Sequence, residues 1–71
     1  MFDYAKLRGR IREIFNRESD FADNMGVSKA TMSAKLNGRI EFSQKEIYKA
    51  MELLNIDACE IDKYFFTLKV Q

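Results

Sequence analysis

The sequence predicts an all-α chain of five short helices that ends in a brief extended tail. Three observations carry that prediction. The 71 residues contain no Pro and only three Gly, so little in the composition interrupts a helix. Apolar residues recur at three- and four-residue spacing through most of the chain. Ser or Asp precedes each apolar run, and Gly or Asn follows it, which are helix start and stop signals. A chain of this length forms one domain, residues 1–71, and needs every apolar helix face for its core. With 46% hydrophobic and 32% charged residues it fits a soluble globular domain and not a disordered segment.

The first helix is expected over about residues 4–16, capped by Asp3. Leu7, Ile11, Ile14 and Phe15 form its buried stripe. Lys6, Arg10, Glu13 and Arg17 form a solvated charged stripe beside it, with Glu13 four residues before Arg17 in the favourable order. Ser19 caps a second helix over about 20–25, with Phe21, Ala22 and Met25 facing inward, and Gly26 ends it. Ser28 caps a third helix over about 29–37, and Asn37-Gly38 stops it. Ser43 opens a fourth over about 44–54, with Glu46 completing a capping box and Ile47, Met51 and Leu54 turned inward. Asp57 and Glu60 repeat that box for a fifth over about 58–64. Ile61, Tyr64, Phe65 and Phe66 then close the core. In the tail Phe66, Leu68 and Val70 alternate with Thr67 and Lys69, a strand-like period. That tail either folds back on the first helix or pairs with a second copy, and the aromatic density favours fold-back.

Helices two and three, separated by about three residues, have the spacing of a helix-turn-helix at about residues 19–37. Ala22 is small where the third helix crosses, Gly26 allows a sharp turn, and Val27 plugs that turn into the core. On a helical wheel Met32 and Leu36 point inward, while Ala30, Thr31 and Ala34 point out, flanked by Lys29, Ser33, Lys35 and Asn37. Short side chains with a few donors suit a helix that approaches base edges in the major groove. They also suit helix–helix packing.

The net charge is +1, so the chain as a whole lacks the basic excess of many nucleic-acid binders. The charge is nevertheless uneven. Lys29, Lys35, Arg39 and Lys45 face only Glu41 between residues 28 and 45, while the last fifteen residues are slightly acidic. With no His, a lone Cys59 and no Gly-rich phosphate loop, there is nothing from which to build a catalytic, cofactor or metal site, and no enzyme is expected. Cys59 reads as a small core residue in a reducing cytoplasm. No apolar run approaches membrane-spanning length and there is no signal-peptide pattern, so a cytoplasmic protein is expected.

The stretch "ADNMGVSKATMSAKLNG" resembles the helix-turn-helix of the phage repressor and Cro family. Ala22, Gly26, Met32 and the closing Asn37-Gly38 fall at that family's spacing. The segments "MFDYAKLRGRI", "KLNG" and "YFFTLKVQ" are more closely similar to small Cro-like proteins of Gram-positive phages and prophages. The resemblance implies a five-helix, phage-repressor-like helix-turn-helix domain that binds an operator in double-stranded DNA. It assigns base contacts to Ser28, Lys29, Ala30, Thr31, Ser33 and Ala34. It assigns phosphate contacts to Ser19, Asn37, Arg39, Ser43, Gln44 and Lys45. There are two departures. Glu18 stands where many members carry Gln, and its carboxylate repels phosphate; Lys35 occupies a position that is often apolar. Two functions follow as expectations. One is a Cro-type transcriptional regulator; the other is an antirepressor that keeps the fold and binds a phage repressor protein. In either case a monomer at low concentration is expected, pairing on DNA or with its partner.

Overall fold

The computed structural model describes residues 2–69. Five α-helices are present among them: α1 (Ala5–Phe15), α2 (Glu18–Met25), α3 (Lys29–Leu36), α4 (Gln44–Leu54) and α5 (Ile61–Phe65). A single 3-10 turn, Ala58–Glu60, precedes α5. The radius of gyration is 11.1 Å, matching the ~11 Å of a compact chain of this length.

Local sequence explains most of the boundaries. Asp3 Oδ1 accepts the Ala5 N–H at 2.9 Å, so Asp3 does cap α1, although Tyr4 holds the cap position itself. α1 ends at Phe15 because Asn16 turns to φ 70°. That early stop removes Arg17 from α1, so the Glu13-to-Arg17 spacing along one helix no longer applies, and Glu13 pairs instead with Arg10 at 3.3 Å. Arg17 is the extended residue that opens α2, which corrects the assignment of the cap to Ser19: Ser19 lies inside the first turn. Gly26 ends α2 at φ 74°, in the left-handed region that a side chain rarely adopts. Ser43 and Glu46 form the expected reciprocal capping box. Asp57 makes no such side-chain cap, and a 3-10 turn replaces the first turn of the expected fifth helix.

The core is formed where α1, α2, α4 and α5 meet, with α3 packed on α2. Leu7, Ile11, Phe21, Ala22, Met25, Met32, Leu36, Met51, Leu54 and Phe65 are buried as the periodicity predicts. Tyr4, Ala50 and Ile56 join them unanticipated. Phe15, Ile47, Ile61 and Tyr64 are only partly buried, and Val27 packs at the core edge. Ile14 is 42% exposed, because the stripe of a short α1 is only wide enough for Leu7 and Ile11 at its centre. Arg10 leaves the solvated stripe: its Nε donates to the Leu54 carbonyl at 2.9 Å, satisfying the end of α4. Cys59 is exposed, not a core residue, because it sits in the 3-10 turn.

The tail folds back on its own chain. The Asp3 N–H donates to the Thr67 carbonyl at 2.7 Å, and Phe2 and Leu68 form an isolated antiparallel bridge. The contact is therefore with the residues before α1. It does not finish the core: Phe66 and Leu68 stay exposed, and Phe65 alone is buried. Val70 lies outside the described residues.

Candidate functional site

Two surfaces stand out. The first is built by α2, the turn at residues 26–28, and α3. Ser28 begins α3 in extended conformation and its Oγ accepts the Thr31 N–H at 3.0 Å. The same Ser28 hydroxyl donates to Thr31 Oγ1 at 2.8 Å. Ser28 therefore spends its hydroxyl on the cap, with Thr31 Oγ1 as its acceptor. Lys29, Ala30 and Ser33 are exposed, and Ala34 is half-buried. The outward face of α3 thus offers an ammonium group, a hydroxyl and a methyl group.

Lys35 is not at the edge of that face. It is buried to 7% exposure, because it lies about 60° round the helix from Met32 and shares its side. Its Nζ donates to Glu46 Oε1 at 2.8 Å and to the Glu41 carbonyl at 3.0 Å, above the Phe42 ring. A buried ammonium needs such partners. Burial alone would raise the Glu46 carboxyl, but hydrogen bonds from Lys35 and Ser43, with the Lys35 charge, hold it below its ordinary value.

The phosphate-contact candidates divide. Arg39, Gln44 and Lys45 are exposed, and neither Arg39 nor Lys45 has an ion-pair partner among the described residues. The Ser43 hydroxyl accepts the Glu46 N–H in the α4 cap. Asn37 Oδ1 accepts from Arg8 Nη2 at 2.9 Å, and Asn37 Nδ2 donates to Ser33 Oγ at 3.4 Å. Ser19 is half-buried and lines a cleft of about 240 Å³ with Glu18, Lys29, Met32 and Ser33. Glu18 is paired with Arg8, whose Nη1 reaches both carboxylate oxygens at 3.1 and 2.9 Å.

The second surface was not anticipated as a site. The two ends of the chain bring Phe2 edge-on to Phe66, with ring centres 5.6 Å apart. Tyr4 packs edge-on against Phe42 at 5.3 Å, and Phe42 against Phe65 at 5.6 Å. Phe2, Tyr4, Glu41, Phe42, Ile47, Phe65 and Phe66 line a cleft of about 130 Å³. Phe2, Phe66 and Leu68 are exposed around it. The Tyr4 hydroxyl is pushed above its ordinary value by burial and by the nearby Glu41 carboxylate. Aromatics at both chain ends, in "MFDYA" and "YFF", were the available signal. Their meeting depends on a tail contact that periodicity does not specify. A further cleft, lined by Phe2, Tyr4, Arg8, Leu36 and Asn37 among others, joins the two surfaces.

No group of three or more His, Cys, Asp or Glu placed to hold a metal occurs among the described residues. No helix among them is long and apolar enough to cross a membrane.

A family model described as "Protein of unknown function (DUF739)" matches residues 1–68. No curated protein matches the chain. Among solved structures, it is similar to the solution structure of the modulator of repression of the temperate bacteriophage TP901-1 from Lactococcus lactis. The identity is 40%, the match covers 99% of this chain and 95% of that one, and the TM-score is 0.82.

Proposed function

We propose a phage regulatory role for this chain, which belongs to the DUF739 family of proteins of unknown function: it modulates repression by binding a phage repressor protein. The observation that carries this reading is the 40% identity to a modulator of repression across 99% of the chain. The aromatic surface around Phe2, Phe66 and Leu68 supports it, since exposed apolar patches on small domains mark protein partners. In this reading the chain is a cytoplasmic, non-enzymatic regulator, one domain in which α2, the turn and α3 are a helix-turn-helix.

A second reading is direct operator binding of the Cro type. It is favoured by the exposed Lys29, Ala30 and Ser33 on α3, with Arg39 and Lys45 free of ion pairs among the described residues. Lys29 and Ser33 would then donate to base edges, and Arg39 and Lys45 would contact phosphates.

One pair of titrations separates these readings. The repressor of the same phage genome and its operator duplex are each titrated with the chain, at 50 and 200 mM salt. Repressor modulation predicts a stable protein complex, weak duplex binding by the chain alone, and release of the operator from the repressor. Tight, steeply salt-dependent duplex binding with no protein complex would reverse the order of the two.

A further inference from the structure

We propose that the Arg8–Glu18–Asn37 network is a built-in brake on duplex binding by the α3 face, with Glu18 as the residue that sets it. The inference rests on the reading of α2–turn–α3 as the face that would meet DNA. Arg8 arises on α1, Glu18 opens α2, and Asn37 follows α3, so one guanidinium ties three elements together. The fork makes two bonds to the Glu18 carboxylate, at 3.1 and 2.9 Å, and one to Asn37 Oδ1, at 2.9 Å.

The consequence is electrostatic. The start of a helix attracts phosphate through its free N–H groups and its dipole. Here the first turn of α2 carries Glu18 and Asp20, so a phosphate brought there meets two carboxylates. Arg8 is the one cation of the network, and Glu18 neutralises it, while Arg17 at the cap of the same turn has no ion-pair partner among the described residues. Asn37 is engaged by the same guanidinium. A guanidinium able to hold a phosphate is thereby turned toward the protein, while the Asn37 amide nitrogen points to Ser33 Oγ at 3.4 Å. The pair is only partly buried, with side chains 31% and 28% exposed, so releasing Arg8 would leave it within reach of a ligand. Glu18 also shares its cleft with Lys29 and Ser33 of the α3 face, which places its charge beside the donors that would read bases.

The test measures binding of a mixed-sequence duplex between 50 and 200 mM salt. Glu18→Gln keeps the shape of the side chain and frees the Arg8 charge. It should raise affinity at low salt and steepen the slope of log affinity against log salt by about 0.9, one added phosphate contact. That corresponds to an affinity loss about 3.5-fold larger across this salt range. Adding Arg8→Met to Glu18→Gln should return the slope to its starting value. Asp20→Asn removes a carboxylate from the same turn without freeing Arg8, and should leave the slope unchanged. Equal steepening by Asp20→Asn, or none by Glu18→Gln in a variant with an unaltered melt, would overturn the proposal. Repressor binding is scored separately, so its absence would count against the proposed function and not against the brake.

Discussion

The α3 face and the aromatic cleft are neighbours on one small molecule, yet they are made by opposite means. The α3 face is local. Its cap, its helix and its closing Asn37 lie within ten consecutive residues, and its groups are polar or small. The aromatic cleft is assembled from both ends of the chain and a loop, through Phe2, Tyr4, Phe42, Phe65 and Phe66. Binding at the first would be electrostatic and fade with salt. Binding at the second would remove apolar surface from water, with little salt dependence and a negative heat-capacity change. On the two readings proposed above, one fold would meet nucleic acid with its polar face and a protein with its apolar surface.

The strongest way to break the aromatic side is from beneath. Phe65 is buried and supports Phe42 edge-on. Phe65→Ala should destabilise the fold by about 3–5 kcal/mol, read as a fall in the urea midpoint. An unchanged midpoint would mean that the cleft is not coupled to the core.

Lys35 joins the two sides, since it arises on α3 and lies above Phe42. Lys35→Ala leaves the Glu41 carbonyl without its side-chain donor and Glu46 with the Ser43 N–H alone, and should cost about 1–3 kcal/mol. The double change Lys35→Met with Glu46→Gln should recover most of that loss, because both ends of the pair are then neutral. The same pair predicts acid sensitivity. The Glu46 carboxyl lies below its ordinary value in the folded chain. Its contribution is therefore present above the unfolded value, about 4.3, and is lost as pH falls through the folded one. Denaturant titrations of Glu46→Gln should show a shallower decline below that pH than the parent chain. Parallel curves would remove Glu46 from the account.

The comparison is sharpened by a pair of milder variants. Phe66→Ser should weaken repressor binding by about 1–2 kcal/mol, with little change in the melt, if the cleft takes the protein partner. Lys29→Ala should leave that complex intact and flatten the salt dependence of duplex binding by about one unit if Lys29 meets phosphate. If it reads a base, the loss should fall on one operator position instead. Calorimetry and anisotropy on the same two variants would show whether the surfaces work independently.

This contrast also explains what was legible in the sequence. The caps at Ser28 and Ser43, the turn at Gly26 and the stripe of Leu7 and Ile11 are set by residues a few positions apart, so spacing reveals them. Ser19 failed as a cap because α2 starts two residues earlier than its hydroxyl suggests. Lys35 was placed on the flank of the outer face, although it lies close enough to Met32 and Leu36 on the wheel to be buried with them. The aromatic cleft needed the pairing of residue 2 with residue 68, and no local period encodes that register. The Arg8 network was equally hidden, since its three members are spread over residues 8 to 37.

The bridge between Phe2 and Leu68 also bears on the order in which the molecule comes into being. Closing a loop that spans nearly the whole chain carries the largest entropic cost of any contact here, whereas α2 and α3 meet across three residues. During synthesis the helices of the polar face can associate while the final residues are still in the ribosome. The aromatic cleft cannot exist until the tail has emerged and returned to the start. The apolar surface proposed for the protein partner is therefore the last part of the molecule to form.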